Sequence, residues 1–368
     1  AESKYEAIKT EVHLSNMRSM YSPSILDYKS VKSMWMGGWL TDSDPDNFLT
    51  SVQRGEDLSK VVGADKIFYS EYVNGRWATP VLSFGKIGFH VNDPSVIKNP
   101  LADSLFMYYT ALSNADAVSQ RFDKHNIGFA TSTDGGKTWV DNGIIIKYAD
   151  SGDGSGAWSP TSVLVGNEIW LYYHTGTNDF SRSITLRQRF GLDGRTKIGT
   201  PERLNFAGTG VVLLSNLDVV KQDSQFIMFA NTLDLKNILK YMSDDGINWV
   251  ADTQAENPII NGGINLVLTP HLEIIDTEKY KIYFGFDKRS GSDSASHLRN
   301  SLFQKYFYFT GNRYRNFNDC GMARHHQSRA RSKKMAPHRI VLHSNSNLFR
   351  NQNSSLRCRH FIVDVRRN

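Results

Sequence analysis

The stretch NDPSVIKNPLADSLFMYYTAL (92–112) reads as two strands joined by a turn: a polar residue before Pro, a β-branched run, a polar break, then an aromatic-rich run. The same order returns in YSPSILDYKSVKSMWMGGW (21–39) and WSPTSVLVGNEIWLYYHTG (158–176). It returns twice more, in SNLDVVKQDSQFIMFANT (215–232) and TPHLEIIDTEKYKIYFGFD (269–287). Measured at the Pro position, the copies stand at 23, 94, 160, 216 and 270, so the intervals are 71, 66, 56 and 54 residues. A unit that returns along the chain in this way signals a repeat architecture.

Between the copies lies a second hairpin with its own turn signature. It reads IFYSEYVNGRW (67–77), IGFATSTDGGKTW (127–139) and LKYMSDDGINW (239–249), with a looser match in ITLRQRFGLDGRT (184–196). Asn-Gly and Asp-Gly supply the positive-φ positions of tight hairpins, so Asp134 and Asp245 read as turn formers, and Glu71 as structural. The closing Trp77, Trp139 and Trp249 suit packing between sheets. Four strands per repeat and five repeats predict an all-β fold, a five-bladed β-propeller over 1–303 that protects its edges by closing into a ring. A pair of β-sandwiches is the alternative, and five copies in register argue against it.

Composition narrows the function. No run approaches the ~20 apolar residues of a membrane helix. The net charge of +6 is uneven: residues 304–368 carry 14 Lys+Arg and two acids, whereas 1–303 are net −6. A mildly acidic body argues against nucleic acid as its partner. The segment 304–368 also has no Glu and five of the 11 His, and reads as an irregular basic tail: last strands of the fifth blade, then disorder, an anion-binding arm or a shifted reading frame. Both cysteines, Cys320 and Cys358, lie there, so a thiol metal site in the body is excluded. A start at Ala-Glu-Ser fits a chain matured by cleavage, and the expected location is secreted or periplasmic. No cofactor and no metal site are expected. The acidic loops 41–47 and 148–156 read as solvated, with a structural Ca²⁺ ion left open because their oxygens are grouped without EF-hand spacing.

With these motifs in place, the chain resembles the five-bladed propeller glycosidases: the arabinanase/xylosidase, invertase/levansucrase and mannoside-phosphorylase families. NDPSVI (92–97) followed by LFMYYT (105–110) is similar to their second-blade signature, and the likeness spans about residues 15–303. It implies that the residue before each Pro points into a central funnel, here Ser22, Asp93, Ser159, Ser215 and Thr269. Two residues on, the same face carries Ser24, Ser95, Thr161, Leu217 and His271. The resemblance also implies two carboxylates flanking the scissile bond. Ser22 stands at the first of these positions and Trp158 at the second, while Asp93 stands at the Asp that orients the sugar and tunes the acid.

Three readings follow. A glycosidase centred on Asp93 would recruit rim carboxylates, with Asp42 and Asp287 first and Asp44, Asp150 and Asp153 behind them. A phosphorylase would use Asp93 as proton donor with a phosphate grip from Lys288, Arg289, His174 or Arg182. A glycan-binding propeller would have no catalysis. In each the partner is an oligo- or polysaccharide, contacted by Ser22, Trp39, Trp158, Ser159, His174, Thr269 and His271. Trp35 is a further rim candidate, since aromatic faces stack on sugar rings.

Overall fold

The computed structural model describes residues 5–14, 17–40, 48–151, 155–177, 183–207, 214–252, 258–262, 264, 266–276, 279–287, 300–310, 313–314 and 356–365. The chain is all-β in a propeller arrangement. Each quoted repeat forms the two inner strands of one antiparallel sheet, and the intervening hairpin supplies the outer two. The first blade runs Met17–Tyr28, Val31–Leu40, Lys66–Val73 and Val81–Phe84. The second runs Phe89–Lys98, Leu105–Ser113, Asn126–Ser132 and Val140–Ile146. The third runs Gly156–Val165, Glu168–Gly176, Ser183–Phe190 and Lys197–Arg203. The fourth runs Leu214–Gln222, Gln225–Thr232, Asn237–Ser243 and Asn248–Ala251.

Among the described residues four blades are therefore complete, one fewer than the repeats predict. The fifth copy forms the hairpin Leu266–Asp276 and Lys279–Asp287 and gains a third strand, Asn300–Thr310. Among the described residues its fourth strand is Arg313–Tyr314. Of the basic segment, the start thus joins a sheet, and Leu356–Val365 pairs with Tyr5–Leu14 near the other end of the chain.

Every inner strand is interrupted at the same place in the repeat. The pairing register slips between Tyr21 and Ser24, Asn92 and Ser95, Trp158 and Thr161, Ser215 and Leu217, and Leu268 and His271. At each slip one residue takes left-handed backbone: Ser22 (φ 51°), Asp93 (47°), Ser159 (49°), Asn216 (28°) and Thr269 (45°). Sequence alignment of the fourth copy on Ser215 is thereby corrected by one residue. Leu217 fills the place that Pro holds elsewhere, so Asn216 and Asp218 replace Ser215 and Leu217 on the axial face.

The residue two beyond each left-handed position bonds the next blade. Ser24 Oγ accepts from Val96 N at 2.9 Å, and Ser95 Oγ accepts from Ser162 N at 2.9 Å. Asp218 Oδ2 accepts from Leu272 N at 2.7 Å, and His271 Nε2 accepts from Ile25 N at 3.2 Å. Thr161 Oγ1 completes the circuit by donating to Asp218 Oδ1 at 2.6 Å. Ser22 N also donates to Thr269 Oγ1 at 2.6 Å, so the first and fifth copies touch directly.

The hydrophobic core lies between blades, not within them. Trp77 packs edge-on to Tyr283 at 6.3 Å, Trp139 to Trp35 at 6.1 Å and Trp249 to Tyr172 at 6.2 Å, each reaching across to the preceding blade. Trp35 is fully buried in this packing, which removes it from the rim where the sequence placed it. The Ser-x-Asp-Gly turns are held as expected: Asp134 Oδ1 accepts from Lys137 N and Thr138 N at 3.1 Å, and Asp245 Oδ1 from Ile247 N and Asn248 N at 2.8 Å. Glu71 sits in an outer strand, bonded to Tyr69 Oη and paired with Lys137 at 3.0 Å. Among the described residues no helix is long and apolar enough to cross a membrane.

Two substitutions test this packing. Gly136 has φ +82°, and an added Cβ would fall 2.3 Å from the Trp35 ring, whereas at Gly135 (φ +80°) it would meet nothing within 4 Å. Gly135→Ala is expected to cost about 1–2 kcal/mol for left-handed backbone alone. Gly136→Ala adds about 1–3 kcal/mol of overpacking, and denaturant unfolding of the pair should show that gap. Asp218→Ala strands buried donors on Thr161 and Leu272, and should cost about 3 kcal/mol in the same assay.

Candidate functional site

Asp93 owes its position to the slip in the second inner strand, which turns its carboxylate toward the axis rather than into a sheet. Hydroxyls from three blades surround it. Ser22 Oγ donates to Oδ1, while Thr110 Oγ1 (3.0 Å) and Ser159 Oγ (3.2 Å) reach Oδ2. Thr110 is itself oriented by Ser159 N, which donates to its Oγ1 at 2.8 Å, and Ser159 Oγ also bonds Asn216 Oδ1. Burial raises the Asp93 carboxyl above the ordinary Asp range, and the nearby charge of Asp65 adds to the rise, while the three hydroxyls pull it down. Burial prevails, so the group keeps its proton to higher pH than a solvated Asp.

A second carboxylate stands at this end of the ring, and sequence reasoning missed it. Asp65 immediately precedes the third strand of the first blade. Tyr21 Oη and Trp39 Nε1 both donate to its Oδ1, and His90 Nδ1 lies 3.0 Å from Oδ2. Asn92 Nδ2 reaches Tyr21 Oη at 3.4 Å, and the Phe48 ring meets the His90 ring edge-on at 4.7 Å. A signal did exist in the repeats. Asp65, His125 and Lys236 each precede by two residues a fully buried Ile (67, 127 and 238), so all three mark the start of a third strand. Burial lowers the His125 pKa, its Nδ1 sits 2.6 Å from Phe122 O, and its ring lies 6.0 Å from that of Trp158.

The predicted residues divide. Asp93, Ser22 and Ser159 come together around one carboxylate, and Trp39 stands beside Asp65 with 36% of its surface exposed. Thr269 is spent on ring closure through Ser22 N. His271 is likewise fixed: its Nε2 accepts from Ile25 N, which places the proton on Nδ1, 3.2 Å from Asp218 Oδ2. Trp158 is buried against His125. His174 is fully buried, with Thr185 Oγ1 3.2 Å from its Nδ1, and burial drops its pKa to about 3. It stands behind the site as a neutral ring.

Among the rim carboxylates, Asp150 is paired with Lys197 at 2.9 Å on an outer strand. Asp287 ends a strand opposite Leu266 and Asn300. Asp42, Asp44 and Asp153 lie outside the described residues, as do Arg182, Lys288 and Arg289. Beyond Asp93 the axis opens into a cavity of about 470 Å³, walled by the inner strands and including Ser24, Ser95, Thr161, Asp218 and His271. Among the described residues no group of three or more His, Cys, Asp or Glu could hold a metal ion.

No protein-family model matches the chain, and no curated protein is similar to it in sequence. Solved structures do match. RS223 β-xylosidase is 11% identical with a TM-score of 0.57, over 82% of this chain and 96% of that one. A thermostable family-43 glycoside hydrolase is 14% identical with a TM-score of 0.56, over 86% and 97%. Zg3597, a family 117 glycoside hydrolase of the marine bacterium Zobellia galactanivorans, is 12% identical with a TM-score of 0.52, over 83% and 89%. At these identities the likeness is one of fold, and the fold this chain shares is that of the propeller glycoside hydrolases.

Proposed function

We propose that the chain is a glycoside hydrolase-like propeller of five blades, acting on an oligo- or polysaccharide at the ring end that holds Asp93. The observation that carries this reading is the Asp93 carboxyl itself, buried, raised and fixed by hydroxyls of three blades. A carboxyl that stays protonated where an ordinary Asp is ionised can pass its proton to a glycosidic oxygen as the bond breaks. The exposed indole of Trp39 offers a stacking face for a sugar ring. Five blades are supported by the contacts between the first and fifth copies, which join Ser22 to Thr269, Ile25 to His271, Lys32 to Glu273 and Trp77 to Tyr283. One fold neighbour is a β-xylosidase/α-arabinofuranosidase in complex with xylotriose, which makes short pentose oligomers a sensible first panel. A polysaccharide substrate goes with work outside the cytoplasm, as a secreted or periplasmic protein.

Of the four phosphate-grip candidates His174 is buried and neutral, and hydrolysis needs no such grip. Purified protein should release sugar from a panel of aryl glycosides and oligosaccharides equally with and without inorganic phosphate. Asp93→Asn should lower that turnover about 10²–10⁴-fold. Binding of panel members without release would instead support a glycan-binding propeller, and neither binding nor release would overturn both.

The raised Asp93 pKa adds a second expectation. Folded Asp93 binds its proton to higher pH than the unfolded chain does, so its contribution favours the fold below the ordinary Asp value of 3.8 and is lost as pH rises through the raised value. Turnover should fall over the same window, because the acid is then ionised. Asp93→Asn should melt above the native protein at neutral pH, with the difference fading toward acid in thermal scans.

A further inference from the structure

Consecutive residues of the first inner strand hold the two carboxylates. Tyr21 Oη donates to Asp65 Oδ1, and Ser22 Oγ donates to Asp93 Oδ1. Adjacent Cα atoms are ~3.8 Å apart, so the pair shares one end of the ring, close enough for the charge of Asp65 to raise Asp93. The two acids arrive from different elements, Asp65 from the head of an outer strand and Asp93 from an inner one.

Asp65 is held but not saturated. A carboxylate offers about four acceptor sites, and among the described residues Tyr21 and Trp39 fill two, both on Oδ1, while His90 Nδ1 lies 3.0 Å from Oδ2 and also 3.4 Å from the Asp65 backbone N, which donates to it. Among the described residues Oδ2 therefore keeps acceptor capacity for a water molecule. The side chain is 14% exposed, and its neighbour Trp39 is the exposed aromatic of the site. Ser22, where the family resemblance calls for a carboxylate, cannot act as a base in hydrolysis. Asp65 lies beside Tyr21, one residue away.

We infer that Asp65 is the second catalytic carboxylate, the base that activates water, with Tyr21 and His90 as positioning residues. The inference rests on the glycoside hydrolase reading. In the step, the glycosidic C–O bond breaks and its electron pair passes to the leaving oxygen, which takes the proton of Asp93. The water oxygen bonds the anomeric carbon, and its proton passes to Asp65. Asp65 then returns that proton to solvent and Asp93 regains one, so the enzyme is restored.

The test uses a substrate that the native protein cleaves. Asp65→Asn should lower kcat about 10²–10⁴-fold with KM little changed. Sodium azide should restore turnover to Asp65→Gly and yield a glycosyl azide, an outcome that a structural role for Asp65 would not give. Tyr21→Phe, which keeps the ring in place, should lower kcat without moving the limb set by Asp93. Turnover by Asp65→Asn within about twofold of native, beside an inactive Asp93→Asn, would overturn the inference and leave the hydrolase reading standing. A low-activity Asp65→Gly with a reduced melting temperature and no azide rescue would also overturn it. No release by the native protein with any panel member would overturn both.

Discussion

Neighbouring inner strands share no backbone ladder, because each blade is a sheet of its own. Their N–H groups facing the next blade must nevertheless be bonded, since a buried unpaired donor costs about 1–3 kcal/mol. The fold meets this demand with side chains. Ser24, Ser95, Asp218 and His271 each accept one backbone N–H from the following inner strand. That ladder of side chains depends on the left-handed residue two positions earlier, which shifts the register so that the acceptor faces its neighbour. Left-handed backbone costs roughly 1–2 kcal/mol at a residue with a Cβ. The bonds gained at each junction offset a cost of that size, which explains why the strain recurs at every copy.

The same device produces the site. A residue in the left-handed turn is lifted out of the sheet, so its side chain looks down the axis instead of packing between blades. Four of those five residues, Ser22, Asp93, Ser159 and Asn216, form one hydrogen-bonded chain, and the fifth, Thr269, accepts from Ser22 N. A carboxylate placed there is desolvated by the ring, and its partners among the described residues are neutral hydroxyls. Desolvation therefore outweighs the hydrogen bonds, and the proton is retained. Asp245 shows the opposite balance. It sits in an outer turn where backbone N–H groups of Asn248 and Ile247 hold its carboxyl well below the usual range. Two aspartates of one chain are thus driven apart by position in the repeat.

Much of this was legible in the sequence. The Ser-Pro, Asp-Pro and Thr-Pro pairs mark the left-handed turn in four copies, and Asp-Gly with a following Trp marks the outer hairpin and its inter-blade contact. The fourth copy hides its turn because Asn-Leu replaces x-Pro. Setting Asn216 at the Pro position, with Ser215 before it, missed Asp218 and, with it, the acceptor that ties His271. Asp65 was missed for a different reason. It stands at the entry to an outer strand, and a search anchored on inner strands assigns outer residues to hairpin packing. Trp35 failed because alternation along a strand names a face without saying what covers it; here the Gly136 turn of the next blade does, with its carbonyl 2.8 Å from Trp35 Nε1.

The separation of ring and chemistry explains how Ser22 can stand where related folds place a carboxylate. What the ring requires of that position is a left-handed backbone, an N–H for Thr269 and a side chain that can bond Asp93. Serine meets all three demands without charge. A second anion at Ser22 would lie against Asp93, and like charges in a desolvated site disfavour one another. Moving the charge to Asp65 relieves this. There the carboxylate is met by the phenol of Tyr21, the indole of Trp39 and the imidazole of His90, none of which the ring ladder uses. Chemistry can therefore change at the rim of such a propeller while the junctions that hold it together stay as they are.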